Sequence, residues 1–107
     1  MDKCALITGA TRGIGKQIAI TLAKQGYNIA LNYRKENEEL ENTKKEIEKI
    51  GVQILAVKGD VANFEDCENF VKQVIERFGQ IDVLVNNAGI TKDMLLMRMK
   101  KEDFEQV

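Results

Sequence analysis

The sequence predicts an α/β fold: a doubly wound parallel sheet truncated to four strands, in the order 3-2-1-4, with helices on both faces. Three observations carry this. Apolar runs and amphipathic stretches of helical period alternate strictly along the 107 residues, which means crossover connections and a parallel sheet. The runs CALIT, NIALN, QILAV and DVLVN are almost continuously apolar, as strands covered on both sides must be. Finally, the turns TGATRGIG, after the first run, and NNAG, after the fourth, fall together at the carboxyl ends of neighbouring strands. There the strand order reverses, and such sheets bind ligands.

Taken in order, Lys3–Thr8 reads as the first strand. Ile14–Lys24 reads as a helix presenting Ile14, Ile18, Ala19 and Leu22 to the core. Tyr27–Asn32 is the second strand. Glu36–Ile50 is a charged helix with Leu40, Ile47 and Ile50 as its inner stripe, stopped by Gly51. Gln53–Lys58 is the third strand. The third helix, Phe64–Phe78, has Asn63 and Asp66 in capping-box positions, faces inward with Phe64, Cys67, Val71, Val74 and Phe78, and ends at Gly79. Ile81–Val85 is the fourth strand, and a fourth helix opens from Lys101.

Composition narrows the function. Hydrophobic residues make up 44% and charged residues 31%, with a net charge of −1 and both signs interspersed. One soluble domain is expected, without the one-sided basic patch of a protein that binds nucleic acid or a membrane surface. The longest uncharged stretches are too short to span a bilayer, and Asp2 and Lys3 lead directly into a strand rather than a signal sequence. Cys4 and Cys67 are far apart in apolar patterns and form no disulfide framework. These readings point to a cytoplasmic protein. With no histidine in the chain, a histidine base or triad is excluded.

The glycine turn has the spacing G-x-x-x-G-x-G, from Gly9 to Gly13 and Gly15. A P-loop is ruled out, because five residues separate Gly9 from Gly15 and Lys16 is followed by Gln17. The turn is either a tight strand–helix connection or a cradle for an anion such as a pyrophosphate, held by free N–H groups at the positive end of a helix. At the end of the second strand stand Asn32, Tyr33 and Arg34, with no acid before Glu36. A dinucleotide fold that prefers NAD places a carboxylate there for the ribose hydroxyls. Arg34, together with Arg12 in the glycine turn, suits a 2′-phosphate and hence NADP. The alternative is that both are solvated surface arginines.

Taken together, TGATRGIG, KGDV and LVNNAGITKDMLLMRMK resemble the short-chain dehydrogenase/reductase family over the whole chain. The last run most resembles the 3-oxoacyl-acyl-carrier-protein reductases of bacterial fatty-acid synthesis. The resemblance implies a Rossmann-like fold in which residues 1–107 form the dinucleotide-binding portion of a single domain. It also implies NADPH-dependent reduction of a 3-oxoacyl group carried on acyl-carrier protein. Gly9, Thr11, Arg12, Gly13, Ile14 and Gly15 would then cradle the pyrophosphate and phosphorylated ribose. Asp60 and Val61 would meet the adenine edge, and Asn87, Ala88 and Gly89 the riboses, while Asn86 would brace the sheet. A homotetramer is implied for a complete enzyme. The residues leave other roles open: Asp60 as a loop cap, NNAG as turn chemistry, and the methionine-rich run Met94–Met99 as a substrate lid or as packing.

The family's chemistry rests on Ser, Tyr-x-x-x-Lys and an Asn in the fourth helix. This chain's tyrosines, Tyr27 and Tyr33, are both near the second strand and neither has Lys four positions on. The expectation is therefore a cofactor-binding part with no catalytic residue of its own. In support, DVLVN reads as a doubly covered strand left at an open edge. The alternative is a non-catalytic dinucleotide-binding or interaction module that is complete at Val107.

Overall fold

The structure, a computed structural model, describes residues 3–8, 13–60, 63–86 and 99–100. In chain order the elements are β1 (Cys4–Thr8), α1 (Gly13–Lys24), β2 (Asn28–Tyr33), α2 (Glu38–Ile50), β3 (Ile54–Lys58), α3 (Phe64–Phe78), β4 (Gln80–Ile81), β5 (Val83–Asn86) and β6 (Met99–Lys100). The main sheet is β3-β2-β1-β5 and wholly parallel. This is the expected order, with β5 as the fourth sheet strand. The fourth helix expected from Lys101 lies outside the described residues.

The strands sort their side chains by parity. Ala5 and Ile7 of β1 and Ile29 and Leu31 of β2 pack with Ala19 and Ala23 of α1 and with Leu40 and Ile47 of α2. Cys4, Leu6 and Ala30 point the other way, onto Phe70, Val74 and Ile75 of α3. Two cores on opposite faces of one sheet explain why these strands read as unbroken apolar runs.

The helices differ from expectation in which residues they turn inward. The buried line of α1 is Gly15, Ala19 and Ala23, one helical turn apart, and small enough to seat the helix close against β1 and β2. Ile14, expected inside, is 70% exposed; Ile18 and Leu22 flank the line, half-buried. In α3 the buried line is Phe70, Val74 and Ile75, so Phe64 is turned out and 78% exposed. Helix α2 begins two residues later than the acidic run suggested, because the Asn37 side chain accepts the Leu40 N–H (2.8 Å) and sets the start there.

The expected strand Ile81–Val85 is broken at Asp82. Its N–H donates to the Cys4 carbonyl (2.8 Å), and its carboxylate accepts from the Cys4 N–H (2.9 Å) and from Gln80 Nε2 (2.7 Å). Residues before the break pair antiparallel with β6, and residues after it join β1. Burial and the Asp82 charge push the Cys4 thiol up to about 12, so it stays protonated.

Candidate dinucleotide site

The carboxyl ends of β1, β2, β3 and β5 lie side by side, with Thr8 opposite Asn86 and Tyr33 opposite Lys58. The chain leaves β1 towards β2 on one side, and β5 returns on the other, so the reversal expected from the sequence falls between β1 and β5. The first helix begins beside it. Gly13 has φ +64°, in the left-handed region that side chains disfavour, and nothing among the described residues lies within 4 Å of where a Cβ would stand. Gly15, in the same turn, is buried. The opening of α1 therefore presents backbone without side-chain bulk at Gly13, with the N–H groups and positive dipole end that favour an anion.

At the ends of β2 and β3 a second cluster forms. Asn32 is 4% exposed, and its Nδ2 donates to the Gly59 carbonyl at 3.2 Å. The Gly59 N–H donates to the Tyr33 carbonyl (2.9 Å). Asp60 follows, its N–H held by Asp66 Oδ2 (2.9 Å), and its carbonyl accepting from the Asn63 N–H (2.8 Å). Arg34 Nη2 stands 3.7 Å from Asp60 Oδ2.

Of the residues expected at the site, the structure places Gly13, Ile14 and Gly15 at the start of α1. It brings Asn32, Arg34 and Asp60 together across β2 and β3. Gly9, Thr11, Arg12, Val61, Asn87, Ala88 and Gly89 lie outside the described residues, as does most of the methionine-rich run. Ile14 turns away from the sheet core into an apolar groove lined also by Ile18, Leu22, Val83 and Val85. That groove runs along the β5 edge.

Asp66 was read only as half of a capping box. Asn63 does cap α3, accepting the Asp66 N–H at 3.2 Å, but the Asp66 carboxylate reaches Asp60 rather than returning to Asn63. Gly59 makes room for it, since a Cβ there would stand 3.3 Å from Asp66 Cβ. The signal was available in the sequence as a glycine directly before Asp60 and an acid six residues after it.

Known proteins of the same fold resemble this chain in sequence and structure. The family model for the short chain dehydrogenase matches residues 3–107, and the chain belongs to that family. It is 49% identical to the 3-oxoacyl-[acyl-carrier-protein] reductase FabG of Staphylococcus epidermidis, over all of this chain and 44% of that protein. An alcohol dehydrogenase from the archaeon Thermococcus sibiricus, solved with 5-hydroxy-NADP, superposes with a TM-score of 0.72 at 44% identity, over 79% of this chain and 36% of the other. Carveol dehydrogenase from Mycobacterium avium, solved with NAD, gives 0.75 at 29% identity, over 85% and 37%. The chain thus spans less than half the length of each of these relatives. No helix among the described residues is long and apolar enough to cross a membrane.

Proposed function

We propose that residues 1–107 are the dinucleotide-binding portion of a cytoplasmic, oligomeric NADPH-dependent reductase acting on a 3-oxoacyl group attached to acyl-carrier protein. The observation that carries the cofactor reading is the carboxyl end of β2, where Arg34 follows the strand with its side chain 77% exposed and no acid on that strand end. A guanidinium there matches a 2′-phosphate, whereas a carboxylate would match the ribose hydroxyls. The substrate class follows from the 49% identity to the staphylococcal reductase.

The residues present fit a dinucleotide. The left-handed Gly13, with no described residue within 4 Å of its Cβ position, and Gly15 would let a pyrophosphate approach the first N–H groups of α1. By the family resemblance, Gly9, Thr11, Arg12 and Ile14 would take part in holding it. Arg34 would hold the 2′-phosphate, Asp60 and Val61 would meet the adenine, and Asn87, Ala88 and Gly89 the riboses. The nicotinamide, when bound, supplies hydride to the substrate carbonyl carbon. This chain's part is to bind and orient, because neither tyrosine has the lysine partner that would make it a proton donor. The outer edge of β5, which pairs with no further strand among the described residues, and the apolar groove beside it are where the remaining length seen in the relatives would pack.

Fluorescence titration with NADPH and NADH, followed by an NADPH-oxidation assay with a 3-oxoacyl thioester, tests this reading. Tighter NADPH binding without turnover is expected of the 107 residues. A preference for NADH overturns the phosphate assignment, and turnover overturns the assignment of the chain as binding-only.

A further inference from the structure

We propose that Asp60 is a specificity-determining residue that competes with the cofactor's 2′-phosphate for Arg34, and so limits how strongly the site prefers a phosphorylated dinucleotide. The inference rests on the 2′-phosphate reading given above and adds a second residue to it. Its basis is the way the two side chains are held.

Arg34 leaves the end of β2 with its side chain 77% exposed, and the ion pair it makes is with Asp60, at 3.7 Å. Asp60 is the more constrained partner. Its N–H is fixed by Asp66, its carbonyl by the Asn63 N–H, and the preceding Gly59 is tied to both Tyr33 and Asn32. The backbone that carries the Asp60 carboxylate is thus pinned, its side chain is 44% exposed against 77% for Arg34, and the longer guanidinium reaches over to it.

A 2′-phosphate arriving at Arg34 meets two opposing effects. It gains the guanidinium, and it must displace or share a carboxylate that is already in place. It also brings its own negative charge close to that of Asp60. A dinucleotide with a free 2′-hydroxyl suffers neither penalty, because a carboxylate accepts a hydrogen bond from a hydroxyl. The Arg34–Asp60 pair therefore narrows the gap between the two cofactors. An exposed pair of this kind is weak, so the effect on the affinity ratio is modest, about two- to fivefold.

The test is a double-mutant cycle on the protein with Asp60→Asn, Arg34→Ala and both together, reading dissociation constants for NADPH and NADH. Asp60→Asn keeps an acceptor at the position and removes the charge. The expected result is a rise of about two- to fivefold in the NADPH-to-NADH affinity ratio, and a distinctly smaller rise when Arg34 is already alanine, because only the direct repulsion of the phosphate by Asp60 is then removed. An unchanged or lowered ratio in Asp60→Asn overturns the proposal. So does an equal rise in the Arg34→Ala background, which would mean that Asp60 acts on the phosphate without Arg34. If the unmodified protein binds neither dinucleotide, the cofactor reading itself fails. If it binds both equally and Arg34→Ala changes nothing, the assignment of Arg34 fails. Raised salt should shrink the Asp60→Asn effect, since exposed charges are screened.

Discussion

Cys4 sits at the first position of β1 with its side chain fully buried and the Asp82 carboxylate beside its backbone N–H. Its thiol, at about 12 in the folded chain against 9.0 for an ordinary cysteine, couples stability to alkaline pH. Below pH 9 the thiol is protonated whether or not the chain is folded, and its full contribution is present. Between 9 and 12 the unfolded chain releases a proton that the folded chain retains, so stability falls by about 1.4 kcal/mol per pH unit from this group alone. Urea unfolding of the native chain and of Cys4→Ala across pH 8–11 should show the native chain losing stability faster, with the difference opening above pH 9. Parallel pH dependences would remove Cys4 as the cause. Burial is the larger cause of this shift and Asp82 the smaller, and the Asp82 arrangement was invisible in the sequence, where DVLVN reads as an ordinary strand. An acid is decisive there because it starts β5 and satisfies the first N–H of β1 at the same residue.

At the scale of elements, α3 shows what periodicity can and cannot deliver. The inner face read from the sequence took in Phe64 and left out Phe70, and the position of the helix on the sheet selects the reverse. Phe64 stands in the first turn, past the end of the packed face; Phe70 lies over Leu6, Ala30 and Val57. Phe70→Ala should cost about 3–5 kcal/mol and Phe64→Ala less than about 0.5 kcal/mol, as read from urea midpoints. Equal losses would mean that the helix is rotated. The strands were legible for the opposite reason. A strand covered on both faces is apolar at every position, so β1 and β2 needed no choice of face. Helix α1 was read from its largest residues, whereas close packing selected its smallest ones, Gly15, Ala19 and Ala23. The glycine at the start of α1 and the arginine after β2 could be picked out from the residues alone. The meeting of Arg34 with Asp60 could not, because the residues follow different strands and only the parallel pairing of β2 with β3 brings them together.

Across the whole molecule, the sheet is unevenly protected. β1 has neighbours on both sides, β2 likewise, and β5 pairs only with β1 among the described strands. Native-state hydrogen exchange should therefore show the slowest amides in β1 and β2, exchanging only on global unfolding. Alternate amides of β5, those turned away from β1, should exchange many-fold faster. Uniform protection across β5 would mean that its outer edge is covered, for instance by a second copy of the chain. The order of the strands also dictates an order of events during folding. Ala5 pairs with Ile29 after a short loop, and with Val83 only after the whole of α1, β2, α2, β3 and α3 has intervened. Closing the longer loop costs about 1 kcal/mol more in chain entropy, so the β1-β2-β3 half has the kinetic advantage. The strand synthesised first waits longest for its last neighbour, and the crevice between β1 and β5 is completed at the end of the folding reaction.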